Sequence, residues 1–288
     1  MRFKKTVYLF LTFLIFTALI LGLIILTLKK SQQLEVSFLN VGQGDAILIE
    51  SGNRQVLIDT GKNGRTILEK LGEEMPFWDR TLEMVIVTHP DFDHYGGLSE
   101  VLKYYQVESV FKTEAETSAE EWQKAKEDIE KEKSLVLNST VGSELIFPNG
   151  AKLEILYPFS KVEQNPEDKN DMSIVARLDF GKNKFLFTGD LSQDGEVELL
   201  EYGANISAGI LKIGHHGSKS SSSEKFLEKV NPSEAVISVG EKNSYGHPHS
   251  EVLERLERNS VKVWRTDKNG TVKYKCKDPE DACRLFVN

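Results

Sequence analysis

The chain has six histidines, His89, His94, His215, His216, His247 and His249, and all six fall in three short segments rich in Asp, Gly or Ser. Imidazole and carboxylate at this density form a donor set suited to divalent cations. The first segment is Thr88-His89-Pro90-Asp91-Phe92-Asp93-His94-Tyr95-Gly96-Gly97, directly after the apolar run Met84 to Val87. A tight loop there points His89, Asp91 and Asp93 into one space, and His94 closes the set. The competing reading is an acidic loop capping the next helix, but four donors within six residues favour metal.

Asp190 ends the apolar run Phe185-Leu186-Phe187-Thr188-Gly189. A carboxylate at a strand end can bridge two cations, although Gly-Asp by itself is more often a turn. In Leu211-Lys212-Ile213-Gly214-His215-His216-Gly217-Ser218, one histidine could ligate metal while its neighbour meets substrate, and the residues do not say which. Lys212, His215 and His247 could all contact phosphate oxygens. Read alone, His249 is a neighbour of the helix that begins near Ser250, and His247 is either a substrate contact or structural.

These segments need strands that end where chemistry begins. Short apolar runs with β-branched and aromatic residues predict strands at Glu35–Leu39, Ala46–Glu50, Val56–Asp59, Met84–Thr88 and Val107–Lys112. Further strands are predicted at Lys152–Leu156, Ser173–Asp179, Lys184–Thr188, Ile210–Ile213, Ala235–Val239 and Val261–Trp264. Helical spacing marks Gly97–Tyr105, Gly195–Tyr202, Ser222–Val230 and Glu251–Arg258, and Ser221 with Glu224 fits a capping box. The charged stretch 114–133 predicts an exposed helix docked through Trp122. No flexible linker divides the two halves, which predicts two packed sheets flanked by helices.

Residues Val7 to Leu28 carry no charge and as a helix would span roughly 33 Å, enough for a bilayer core. The run passes into Lys29-Lys30 without a small-residue cleavage site, so residues 1–30 are expected to form an uncleaved anchor and 31–288 the catalytic domain. Arg2, Lys4 and Lys5 before the run favour the N-terminus inside and the domain outside. That exported part has 31 basic and 44 acidic residues, a net charge of −13, which disfavours tight binding of long polynucleotides. The two cysteines, Cys276 and Cys283, could form a local disulfide or remain free thiols.

The motifs His89-x-Asp91-x-Asp93-His94, Val41-Gly42-Gln43-Gly44-Asp45, Ile58-Asp59-Thr60-Gly61, Thr188-Gly189-Asp190 and His215-His216-Gly217-Ser218 together resemble the metallo-β-lactamase superfamily. They resemble more closely the hydrolase domain of ComEC-like competence proteins, from about Glu35 to Tyr274 and including Asn243 to Pro248. The resemblance implies an αββα sandwich, here after one transmembrane helix, with a dinuclear site at the sheet edge. By position His89 and Asp91 would hold one metal, Asp93 and His94 the other, with Asp190 bridging and His216 completing the set. Asp59 would orient a ligand, and Asp93, His215 and His247 would form the catalytic group. Superfamily members commonly have histidine where this chain has Asp91, and another histidine before the bridging Asp; Asn170 is the nearest substitute for the latter.

The resulting expectation is hydrolysis by a metal-bound hydroxide on two divalent ions, zinc by default and manganese as an alternative. The favoured substrate is a phosphodiester, with nucleic acid as one form of it. The alternatives are a cell-envelope substituent such as a phosphocholine ester, or a non-catalytic DNA-binding or scaffold module. The chain lacks the multiple spans of a DNA-uptake channel.

Overall fold

Alternation of apolar residues along Leu34–Phe38 sends Leu34, Val36 and Phe38 to one face, and their burial shows which face that is. They meet Leu153, Ile155, Leu178, Phe185 and Phe187 from a second sheet in one continuous core. The computed structural model describes residues 2–159 and 169–287; within the first helix it describes the side chains of residues 5 and 7–22.

Among the described residues one sheet runs in the order Arg284–Val287, Val272–Cys276, Leu34–Phe38, Ile47–Ser51, Arg54–Ile58, Met84–Val87, Ser109–Lys112, Leu135–Asn138. The other runs Lys262–Arg265, Glu234–Ile237, Ile210–Lys212, Asn183–Phe187, Val175–Phe180, Lys152–Tyr157, Glu144–Ile146. The opposite faces are also apolar. Leu48, Leu57, Val85 and Val87 pack beneath the helices Gly64–Glu74, Leu98–Tyr104 and Glu120–Glu132. Leu186, Leu211, Ala235 and Ile237 pack beneath Gln193–Tyr202, Glu224–Val230 and Ser250–Arg258. Strands buried on both faces suit mixed sheets covered by helices on their outer faces, and the result is the expected αββα sandwich.

Pairing turns parallel where the candidate residues lie. Arg54–Ile58, Met84–Val87 and Ser109–Lys112 are parallel neighbours, as are Asn183–Phe187, Ile210–Lys212 and Glu234–Ile237. Their C-terminal ends deliver the loops after residues 58, 87, 187, 212 and 237 to one edge of the sandwich.

Several expectations need correction. The helix foreseen over 114–133 covers only Glu120–Glu132, and it is a core helix: Trp122, Ala125 and Ile129 are buried at helical spacing beneath a charged outer face. The cap of Glu224–Val230 is Ser223, whose hydroxyl accepts from the Phe226 N–H. Glu224 instead reaches Arg258 and Asn259, so no capping box forms at Ser221. Among the described residues five strands escaped the pattern: the two-residue Thr81–Leu82, and Leu135–Asn138, Glu144–Ile146, Val272–Cys276 and Arg284–Val287. Cys276 and Cys283 form a disulfide that joins the last two.

The first helix runs Arg2–Ser31, and its apolar side chains from Val7 to Leu21 are largely exposed. The side chains of Arg2, Lys4, Lys29 and Lys30, on which the topology expectation draws, lie outside the described residues. Among the described residues no helix is long and apolar enough to cross a membrane.

Candidate metal centre

His94 stands on the four-residue helix Phe92–Tyr95 and is fully buried. Its Nδ1 lies 2.7 Å from Asp59 Oδ2, which fixes the ring and turns Nε2 toward Asp190 Oδ2, 3.3 Å away. Asp59 is held in turn: its two oxygens accept from the Thr88 N–H and the Thr88 hydroxyl, each at 2.8 Å. Asp59 adopts φ 60°, a left-handed conformation rarely taken by a residue with a Cβ and characteristic of functional sites.

His89 leaves the end of Met84–Val87 with its Nδ1 3.1 Å from Thr88 Oγ1 and 3.4 Å from Ser173 Oγ. His216 comes from the second sheet, and its Nδ1 donates to the Ser238 carbonyl at 2.9 Å. Its Nε2 lies 3.2 Å from Asp93 Oδ2 and 3.4 Å from Asp190 Oδ2. In all three rings Nδ1 faces a protein partner, while the buried Nε2 atoms have no hydrogen-bond partner and find only carboxylates at ion-pair distance. That is the arrangement of histidines aimed at cations.

Among the described residues the donor atoms fall into four overlapping groups, each within 4.8 Å: His89, His94 and Asp190; Asp93, His94 and His216; Asp45, Asp190 and His216; and Asp45, Asp59 and His94. Asp190 is common to two of them, through a carboxylate directed between the imidazoles. Gly189 before it has φ 51°, and a Cβ there would press on Ser173 and Thr88, so the turn that aims Asp190 requires glycine.

Asp91 and Asn170 are placed differently from the site's centre. Asp91 Oδ2 lies 3.7 Å from His89 Nε2, but its side chain is 39% exposed and its other oxygen pairs with Lys169 at 3.4 Å. It belongs to none of the close donor groups among the described residues. Asn170 sits in the short helix Lys169–Met172, before the strand that starts at Val175.

Lys212 corrects an expectation. It is fully buried, donates to the Gly189 carbonyl at 2.9 Å and forms an ion pair with Asp45, so it does not face substrate. Asp45 ends the motif Val41-Gly42-Gln43-Gly44-Asp45, and motif reading assigned that residue no role. Its oxygens lie 3.5 Å from His216 Nδ1 and 3.9 Å from His94 Nδ1. The available signal was a carboxylate between a glycine turn and an apolar strand. At Gly44, with φ 125°, a Cβ would collide with the Asp93 carbonyl, so this turn packs directly under the histidine loop.

Around the rim stand His215, His247 and Tyr245. His215 Nε2 is 3.9 Å from Asp190 Oδ2, and its side chain is 27% exposed. The His247 ring meets His215 edge-on at 5.6 Å and stacks beneath the exposed Tyr245 at 5.6 Å. Asn243 holds the segment by accepting from the His247 N–H and donating to the His247 carbonyl. His249 immediately precedes Ser250–Arg258, as expected of a helix neighbour; its side chain makes no capping bond to the helix, and its Nδ1 accepts from the Lys219 N–H.

Electrostatics match a cation site. Burial disfavours charge on His216, yet Asp190 and Asp45 push its pKa up to about 10. Burial likewise opposes charge on His94, but Asp190 and Asp59 hold it well above the ordinary histidine value. Burial drives His89 down to about 3, helped by the neighbouring His94. Asp190 stays well below the carboxylate range despite burial, because His216 and His94 face it. Such carboxylates demand positive charge, and a metal displaces those imidazole protons on binding.

Comparison with known proteins agrees with this geometry. Residues 39–241 match the metallo-beta-lactamase superfamily. The chain is 33% identical to ComE operon protein 3 of Bacillus subtilis and 32% identical to competence protein ComA of Neisseria gonorrhoeae. Those matches cover 86% and 83% of this chain but only 34% and 32% of the relatives, so it spans about a third of their length. In fold it is similar to the metallo-beta-lactamase fold protein YhfI from Bacillus subtilis, with TM-score 0.55 and 14% identity over 89% of this chain and 99% of that one. An αββα sandwich, imidazoles converging on Asp190 and a match over most of the sequence lead to one assignment: the chain belongs to the metallo-β-lactamase superfamily, and its domain is of the kind found in ComEC-like competence proteins.

Proposed function

We propose that this chain is a membrane-anchored, extracytoplasmic phosphodiesterase that works with two divalent cations. The observation that carries this reading is the convergence of the Nε2 atoms of His89, His94 and His216 on Asp190. His89, His94 and Asp190 would hold one ion; Asp93, His216 and Asp190 would hold the other, with Asp91 as an outer ligand. Zinc suits the imidazoles, and the carboxylates also admit manganese. Bound ions would supply Lewis-acid activation of water and of the phosphoryl oxygen.

The protein's own part is positioning. Asp59 and the Ser238 carbonyl fix His94 and His216, and Lys212 balances the buried Asp45 charge. His247, which burial and the neighbouring His215 push down to about 4, is neutral at physiological pH and presents a hydrogen-bonding ring at the rim. His215 stands beside it as the second contact for phosphate oxygens. The names of the relatives, competence proteins and a Haemophilus influenzae recombination protein, support a nucleic-acid phosphodiester. The net charge of −13 outside the first thirty residues favours short strands, or a phosphocholine ester of the envelope, over long polynucleotides. The exposed apolar surface of the first helix supports the anchor.

Metal analysis of the purified full chain tests the centre: close to two ions per chain are expected. Asp190→Ala should lose more than one of them, because both sites share that carboxylate. Full metal content in that variant would remove Asp190 as the bridge. A panel of a nitrophenyl phosphodiester, short DNA and a phosphocholine ester should show chelator-sensitive turnover. A metal-free chain inert toward the whole panel would leave the scaffold reading.

A further inference from the structure

Phe77 and Trp78 are 79% and 74% exposed, and their rings pack edge to face at 4.8 Å. Two adjacent aromatics in water expose apolar area that folding would ordinarily hide. Their position in the fold gives them a use. The helix Gly64–Glu74 starts beside the catalytic edge and runs down the outside of the first sheet, so the loop after it reaches the sandwich's far end. There Asp79 accepts from Gln55 Nε2 at 3.1 Å, next to Arg54, which opens its strand and pairs with Glu83 at 3.2 Å. Arg54 lies opposite Ser51, and Ser51 lies opposite Leu34.

Leu34 is where the chain enters the domain from the first helix, which ends at Ser31. Three peptide steps reach at most about 11 Å, so the end of that helix is close to this face whatever its tilt. Gln33 is also held here, because its carbonyl accepts from Asn149 Nδ2 at 3.1 Å. Asn149 belongs to the turn after Glu144–Ile146, whose Ile146 is 69% exposed. Between Arg54, Glu83 and Ile146 lies a hollow of about 390 Å³ floored by Met84, Phe147 and Pro148. Exposed apolar groups thus stand on two sides of the tether's entry point.

We infer that this end of the domain rests in the interfacial layer of the bilayer, with Phe77 and Trp78 inserted at headgroup depth and Ile146 as a second contact. Tryptophan favours that layer, where its ring is half apolar and half wet. The metal centre lies at the other end of the strands, about 17 Å farther out for a five-residue strand, and faces away from the membrane. Its substrate then comes from the extracytoplasmic space and not from the lipid surface. This inference rests on the anchor reading and is independent of the hydrolase reading.

The test is tryptophan quenching in the full chain, reconstituted into phosphatidylethanolamine–phosphatidylglycerol vesicles with or without brominated acyl chains. The chain has three tryptophans; Trp122 is buried and Trp264 is tied to Glu234 within the second sheet's side of the fold. The parent should be quenched at least twofold more than Trp78→Phe, and Phe77→Ser/Trp78→Ser should still float with salt-washed vesicles. Equal quenching of parent and Trp78→Phe on floating vesicles would overturn the insertion while leaving the anchor intact. Failure of the parent to float would remove the anchor and this inference together, whereas metal-dependent turnover would be unaffected.

Discussion

Lys212 and Asp45 form a buried ion pair directly beneath the proposed metal ligands. Burial opposes charge on both, yet Asp45 and Asp190 raise the lysine's pKa and Lys212 keeps Asp45 below the ordinary carboxylate value. Removing one partner strands the other, which typically costs about 3–5 kcal/mol. Lys212→Met should therefore lower unfolding stability by about that amount in a urea titration. Asp45→Asn/Lys212→Met should recover part of it; a Lys212→Met chain as stable as the parent would show that the pair carries no such weight. At the rim the expectation is opposite in kind. His247→Ala should retain metal and stability but lower turnover about 10²-fold, and unchanged turnover would return His247 to a packing role.

At the scale of elements, Glu196 ties Gln193–Tyr202 to the start of Glu224–Val230. Its carboxylate accepts from the Ser222 and Ser223 N–H groups, the latter at 2.8 Å. Burial pushes its pKa up to about 7 from 4.5, against the pull of those donors. The folded state then binds more protons than the unfolded one between these values. Its contribution is fully present below pH 4.5 and is lost as pH rises through 7, on the order of 3 kcal/mol. In Glu196→Gln the fall in stability between pH 5 and pH 8 should shrink, as measured by denaturant midpoints; an unchanged fall would assign the pH dependence elsewhere. Elements of this kind were only partly legible. Strands such as Met84–Val87 and Asn183–Phe187 announce themselves because their runs Val85–Val87 and Phe185–Phe187 are wholly apolar and lead through one Thr to His89 or Gly189. Val272–Cys276 alternates apolar residues with Lys over only five residues, one strand in from the edge, and Leu135–Asn138 follows a charged helix, so neither stood out. Histidine clustering located the centre, but the place of Asp45 within it emerged only from the fold, where its turn packs under Asp93. The same closure sent Lys212 inward, since nothing local distinguishes a buried lysine from one facing substrate.

Across the whole molecule, the anchor reading predicts membrane association that survives high-salt washing, with the domain open to protease in spheroplasts. A soluble chain, or a domain shielded by intact membranes, would refute the anchor or its orientation respectively. The first strand, Leu34–Phe38, has as one neighbour Val272–Cys276, so residue 34 pairs with residue 276. The disulfide to Cys283 then fastens the outermost strand Arg284–Val287 beside it. On the anchor reading, a chain threaded outward would thus present one bare edge of Leu34–Phe38 until residues 272–276 had crossed. Pairing so distant in sequence is slow to form and prone to aggregation while it waits. If the chain is exported as the anchor reading has it, demand on extracytoplasmic chaperones and thiol oxidation should be greatest in the interval before residues 272–287 emerge.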